Sequence, residues 1–250
     1  MEVHAHIDAL RTEGERMVAA AAVGDPDGAV PSCPEWTVRD LVRHTGGVHR
    51  WATGFVAGGR TEPSRAGLDE VAGTWPADDD LAGWLGRGCT DLVHALIAAP
   101  EDMQCWTFLA APSPRAMWAR RQAHETAVHR VDAQLAVGIP ATPCAPAFAA
   151  DGIDELLVLF VPRRSTTLRA DPPAILAVRC TDVDASWLLR MDADGVTATA
   201  GTDGAGGACT VSGTAGDLYL ALWNRTGAED LALEGDRAVL GQFSEAVRIG

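Results

Sequence analysis

The chain has 250 residues and a mass of 26.2 kDa, and its 47% hydrophobic content can bury one large core or two modest ones, which excludes disorder of the whole chain. A formal charge of −14 and a pI near 4.8 repel polyanions, which argues against nucleic-acid binding, and no apolar run reaches the roughly 18 residues of a membrane helix. All 20 basic residues are arginine, so P-loop phosphate binding, Schiff-base chemistry and lysine general bases are excluded together, because each needs an amine.

The first helix is expected over residues 7–21, where Ile7, Leu10, Gly14, Met17 and Ala21 recur at helical spacing. The second is marked more sharply. Pro34 precedes Thr37, and Thr37 with Asp40 forms a T-x-x-D capping box, so helix is predicted from Val38 to Phe55. A third repeats at Leu81, Leu85, Gly88, Leu92 and Leu96, with Asp78, Asp79 and Asp80 as an N-terminal charge cap and Pro100 as its stop. A fourth follows Pro112 and Pro114 and runs from Arg115 to Val137, before Gly138 and Pro140. Together they predict an up-down four-helix bundle.

Residues 139–146 carry Pro140, Pro143 and Pro146 and read as a linker, dividing the chain into a helical bundle over 1–144 and a small α+β domain over 145–250. Beyond it a helix is predicted from Phe148 to Phe160. Short strands follow at Ile175–Cys180, Trp187–Met191, Val196–Ala200 and Cys209–Ser212, separated by turns such as Asp192–Gly195 and Asp203–Gly204. A helix from Ala215 to Arg225, a strand at Leu231–Leu233 and a last helix from Arg237 to Arg248 complete an α+β fold.

The six cysteines contain no CxxC, the nearest two, Cys89 and Cys105, being 16 residues apart; they read as buried small hydrophobes rather than a zinc ribbon or a disulfide framework. The N-terminus has neither the basic nor the apolar region of a secretory signal, which predicts a cytoplasmic protein.

All seven histidines precede residue 130, so the chemistry is segregated in the bundle. On the second helix Leu41, His44, Val48, Trp51 and Phe55 share an arc of about 80°, which points His44 inward and leaves His49 off the stripe, at an edge or in solvent. On the fourth, Glu125 and His129 are four apart and about 40° apart on one face, surrounded by Trp118, Arg121, Val128, Asp132 and Ala136. His124 lies about 140° from His129 and cannot share a metal with it. A carboxylate and an imidazole on a partly apolar face need a partner or an ion. Two readings stay open: an ordinary i,i+4 pair beside a satisfied core histidine, or a site in which His44 crosses to complete a His, Glu, His set with an open fourth position, as catalytic zinc requires.

The stretch from Val30 through Cys33, Trp36 and His44 to Trp51, with the His124-Glu125-x-x-x-His129-x-x-Asp132 stretch, resembles the mycothiol-dependent maleylpyruvate isomerase family, within the broader DinB-like metal-binding bundles. The segments around Asp151–Leu157, Trp187–Val196 and Val211–Arg225 resemble that family's C-terminal domain, which is related in shape to sterol-carrier domains. The resemblance implies zinc held by His44, Glu125 and His129, and mycothiol as the thiol that the metal activates. It also implies a catalytic arginine at Arg225, and the arginine-rich composition fits the GC-rich genome of an actinobacterium.

A thiolate could add to an electrophilic small molecule and leave again, giving cis-trans isomerisation of a maleylpyruvate-like dicarboxylate, or stay, giving S-transfer. An anionic substrate needs a cation; Arg225 and Arg121 are the candidates. Asp132 is a candidate second-layer acceptor for a histidine, with pairing to Arg121 or Arg130 slightly ahead. Alternatives are a metal-assisted hydrolase, or a non-catalytic module binding a metal and a hydrophobic ligand, whose closed metal shell could only draw its fourth ligand from Cys33.

Overall fold

The computed structural model describes residues 1–164, 168–201 and 206–247, which fall into two compact units, Met1–Thr142 and Pro143–Gly250. The predicted end of the last helix at Arg248 and the turn at Asp203–Gly204 lie outside the described residues.

The first unit opens with α1 (Val3–Ala21), followed by a hairpin of β1 (Ala29–Val30) and β2 (Cys33–Thr37) that leads directly into α2 (Val38–Val56). A short α3 (Leu68–Ala72) precedes α4 (Leu81–Ala98), and α5 (Pro114–Ala136) completes the bundle. The hairpin and α3 are additions to the predicted elements. The capping box forms as expected: Asp40 N–H donates to Thr37 Oγ1 at 3.2 Å and Thr37 N–H donates to Asp40 Oδ2 at 2.9 Å. The aspartate cluster before α4 makes no side-chain cap. Two of its three charges go to arginines instead, Asp78 to Arg39 at 2.7 Å and Asp80 to Arg87 at 2.6 Å.

In the bundle α1 packs on α4 and α5, and α2 packs on the same two helices from the opposite corner. Paired contacts give the directions. Leu10 meets Cys89, while Val18, further along α1, meets Gly86, earlier in α4, so these two are antiparallel. His6 meets His124 and Glu13 meets Arg130, so α1 and α5 are parallel. Since His44 faces Glu125 and Phe55 faces Trp118, α2 and α5 are antiparallel. The bundle therefore runs up, down, down, up. Gly46 in the middle of α2 explains the close α2–α4 approach: a Cβ there would lie 2.1 Å from the Trp84 ring, and Arg50 stacks over the same ring at 3.7 Å. Beyond the site described below, Trp51, Phe55, Trp106 and Trp118 form an aromatic cluster in which Phe55 and Trp118 stack at 5.1 Å.

The second unit begins with α6 (Pro146–Asp154), which widens into a π-helical turn at Glu155–Phe160 and ends in α7 (Val161–Arg164), so the predicted 148–160 helix is longer and irregular. The sheet comprises β3 (Ala174–Cys180), β4 (Ser186–Met191), β5 (Val196–Ala200), β6 (Cys209–Gly213) and, after α8 (Ala215–Leu222), β7 (Ala232–Gly235); α9 (Arg237–Ala246) follows. Strand order is β5-β4-β3-β6-β7, with β3 and β6 parallel and the other pairs antiparallel. Leu176 sits between Leu189 and Cys209, and Val178 between Trp187 and Val211, so one face of the three central strands is a continuous buried row. No helix among the described residues is long and apolar enough to cross a membrane. All six cysteines are free thiols, with Cys33, Cys89 and Cys209 buried.

Candidate metal centre

Two helices and the hairpin bring the site together within the first unit. α2 supplies His44, and α5 supplies Glu125 and His129, whose four-residue spacing stacks them on one face. The hairpin supplies Trp36, whose ring lies 4.7 Å from the His44 ring and 5.8 Å from that of His129. Because Thr37 ends β2 and caps α2, one local structure fixes both the aromatic wall and the start of the helix that carries His44.

Glu125 Oε1 lies 3.2 Å from His44 Nε2 and 3.3 Å from His129 Nε2, and the three residues offer ligand atoms that all fall within 4.8 Å of one another. Donors on a tetrahedral ion with bonds of about 2.0–2.1 Å are about 3.3–3.4 Å apart, so the two distances from Glu125 Oε1 are close to edges of such a coordination sphere. Two nitrogens and one carboxylate oxygen suit zinc and leave one position for water or another ligand. The His44 and Glu125 side chains remain 27% and 21% exposed, against 5% for His129, so the open side lies towards the first two.

A second layer holds each α5 ligand. Arg121 donates to Glu125 Oε2 at 2.8 Å, leaving Oε1 directed at the histidines. His129 Nδ1 donates to Asp132 Oδ2 at 2.8 Å, and Asp132 Oδ1 accepts from Ser32 in the hairpin turn. Cys33 is buried with its Sγ 4.0 Å from Asp132, behind the ligands rather than among them. These contacts set the charges. Burial alone would raise the Glu125 carboxyl, but hydrogen bonds to His129 and His44 and the Arg121 charge hold it well below the usual carboxylate range. Burial alone would lower His129, yet its bonds to Asp132 and Glu125 push it up to about 9. A metal at Nε2 would displace that proton while Nδ1 keeps its bond to Asp132.

Several sequence expectations are revised here. His49 is fully buried rather than solvated, with Nε2 2.8 Å from Thr126 Oγ1. The physical reason is that α2 packs against two helices, so its buried arc also covers Thr45, Gly46, His49 and Ala52, while His44 sits at the rim of that arc. Burial drives the His49 imidazole down to about 3, so it stays neutral. Asp132 bonds to His129, while Arg121 pairs with Glu125 and Arg130 with Glu13 at 2.6 Å; the expected pairing of Asp132 with either arginine gives way to the histidine. His124 is buried on the α1 side of α5, its ring 6.0 Å from His6. Trp36 and Ser32 were not among the predicted site residues; the Val30-Pro31-Ser32-Cys33 turn, with Pro at its first central position, is the signal that marks their hairpin.

In the second unit, α8 ends at Leu222, short of the predicted Arg225. Arg225 is buried, and its Nη1 donates to the Trp223 carbonyl at 2.7 Å.

The mycothiol maleylpyruvate isomerase N-terminal domain matches residues 7–134, and the C-terminal domain of the same family matches residues 147–242. A crystal structure of the mycothiol-dependent maleylpyruvate isomerase superposes with a TM-score of 0.65 at 15% identity, covering 94% of this chain and 93% of that one. A histidine-to-alanine mutant of that isomerase gives 0.64 at 14% identity, with the same coverage of 94% and 93%. No curated protein sequence matches the chain. The structural likeness speaks for a shared fold of mixed helix and sheet, and the two domain matches, which together span most of the sequence, carry the further step: the chain belongs to the mycothiol-dependent maleylpyruvate isomerase family.

Proposed function

We propose that this protein is a zinc-dependent enzyme of thiol chemistry, with mycothiol as its thiol and a small electrophilic alkene as its substrate. His44, Glu125 and His129 are the proposed metal ligands. The observation that carries the reading is the spacing of Glu125 Oε1 from the two histidine nitrogens, 3.2 and 3.3 Å, in a chain of this family. A zinc ion so bound would supply a Lewis acid that holds a thiol as its thiolate at neutral pH. The chain's own residues do the rest. Asp132 keeps the proton on His129 Nδ1 so that Nε2 presents a lone pair, and Arg121 holds Glu125 from behind as a positioning residue. Arg225 is proposed to neutralise a carboxylate of the substrate, as a buried guanidinium recognises an anion.

Isomerisation follows from the thiol's reactivity. The thiolate sulfur forms a bond to one alkene carbon as the π electron pair moves into the adjoining carbonyl as an enolate, the former double bond rotates as a single bond, and return of that pair breaks the carbon–sulfur bond to give back the thiolate and the trans alkene. Protonation of the enolate by solvent, with release of the thioether before that last cleavage, would make the same protein an S-transferase. We assign the metal chemistry to residues 1–144 and carboxylate recognition to residues 145–250, in a cytoplasmic enzyme of actinobacterial type; six free thiols fit a reducing compartment.

The experiment is chromatographic separation followed by mass spectrometry of the products that the zinc-loaded protein forms from maleylpyruvate, with and without mycothiol. An isomer of unchanged mass formed only with thiol supports the isomerase; an accumulating adduct supports S-transfer; turnover without thiol overturns both in favour of a hydrolase.

A further inference from the structure

We propose that Asn224 is a positioning residue for Arg225, acting through the turn that ends α8. This rests on the reading of Arg225 as the residue that binds a substrate carboxylate. The end of α8 has a defined hydrogen-bond pattern: Arg225 N–H donates to Leu220 O at 2.8 Å and Asn224 N–H donates to Ala221 O at 3.0 Å. Those two bonds constitute a Schellman motif, which requires a left-handed residue at the position Asn224 occupies. Asn224 has φ 62°, and among the described residues it is the sole non-glycine with positive φ. Asparagine is the side chain that best tolerates this conformation after glycine.

The turn decides where Arg225 goes. It takes the chain sharply off the helix axis, and the guanidinium folds back so that Nη1 donates to the carbonyl of Trp223, a group the helix end leaves without an intrahelical donor. Trp223 is itself fixed: it is 1% exposed and its indole donates to Gly152 O in α6 at 3.2 Å. Asn224 adds a tie of its own, donating from Nδ2 to Ser244 O in α9 at 3.4 Å. That tie is held although Asn224 Oδ1 is buried without a partner, an arrangement that costs free energy a glycine would not incur. Glycine would supply the left-handed turn alone. Asparagine supplies the turn and fastens it to α9, so the arginine is held through the two residues that precede it.

The test compares KM and kcat for an anionic electrophile and for its neutral ester, with zinc content and thermal stability measured alongside, in four full-length proteins: wild type, Asn224→Ala, Asn224→Gly and Arg225→Ala. Asn224→Ala strains the turn and is expected to raise KM for the anionic substrate by about three- to tenfold while leaving KM for the ester unchanged. Asn224→Gly restores the turn and is expected to bring KM to within about twofold of wild type. Arg225→Ala should show the same charge selectivity, more strongly. If Asn224→Ala does not fold, Asn224→Gln strains the same turn and takes its place. The proposal is overturned if Arg225→Ala is charge-selective while the Asn224 variant is not, or if glycine fails to rescue. If Arg225→Ala affects anion and ester alike, the reading of Arg225 fails, and this inference falls with it.

Discussion

His129 donates from Nδ1 to Asp132 Oδ2 at 2.8 Å, one turn along the same helix, and this bond decides which ring nitrogen faces Glu125. A carboxylate behind a metal-bound imidazole raises its basicity and fixes its rotation. Asp132→Asn keeps the shape and removes the charge. Zinc affinity in that variant is expected to fall by about tenfold or more with the helical circular dichroism unchanged, measured by competition with a chromophoric chelator. Unchanged affinity would show that Asp132 serves the hairpin through Ser32 and not the ligand.

The two histidines of α2 should separate cleanly. His44→Ala removes a proposed ligand and is expected to abolish stoichiometric zinc with little loss of stability, because His44 lies at the rim of the bundle. His49→Ala opens a hole in the interior and leaves Thr126 Oγ1 without its partner, so zinc should stay near one per chain while stability drops by about 1–3 kcal/mol. Metal analysis and denaturant unfolding of the two variants check both halves.

The same pair shows what could be read before the structure. The helices were legible because Pro34, Thr37, Asp40, Pro100 and Pro114 punctuate a strong apolar repeat, and the α5 ligands were legible because an i,i+4 pair fixes its own geometry whatever surrounds it. Which part of α2 lies deepest was not legible. A single stripe assumes one packing partner, whereas α2 has α4 on one side and α5 on the other, and this moves His49 to the interior and His44 to its edge. The direction of the helices was hidden for a related reason: connections such as 22–37 and 57–80 are long enough to cross the bundle, and periodicity carries no sign. The Asp132 bond to His129 needed coordinates, because an aspartate on that face had two arginines within reach in sequence.

Acid stability should report on His49. Its folded value of about 3 lies below the ordinary 6.5, chiefly because burial disfavours the cation. For a histidine depressed on folding, the unfolded chain binds the extra proton, so the stabilisation is complete above pH 6.5 and is lost as pH falls towards 3, at up to about 1.4 kcal/mol per unit. Between pH 7 and pH 5 metal-free wild type is expected to lose up to about 2 kcal/mol more than His49→Gln, read from urea midpoints at the two pH values. Parallel losses in the two proteins would mean that His49 takes up its proton within the folded state.

The Glu13–Arg130 pair makes the last case, since it joins α1 to the ligand helix at the residue after His129. Arg130 is fully buried; its Nε donates to Glu13 Oε2 at 2.6 Å, and its Nη1 donates to Gln134 Oε1 at 2.9 Å and to Thr142 O at 2.8 Å. Because α1 and α5 run parallel, no short loop can hold them in register, and a buried charge pair with one fixed geometry performs that task. Glu13→Gln removes the counter-charge that α1 offers the buried guanidinium, which is expected to cost about 3–5 kcal/mol. The double change Glu13→Leu with Arg130→Met removes both charges and should recover most of that loss, since an apolar pair of similar volume avoids the desolvation that the ion pair has to offset. Zinc stoichiometry should survive in Glu13→Gln at temperatures where the variant remains folded, because none of the three ligands touches Glu13. Urea unfolding with parallel metal analysis decides the matter: loss of zinc from a folded Glu13→Gln protein would mean that the α1–α5 register, and not only the α5 spacing, sets the ligand geometry.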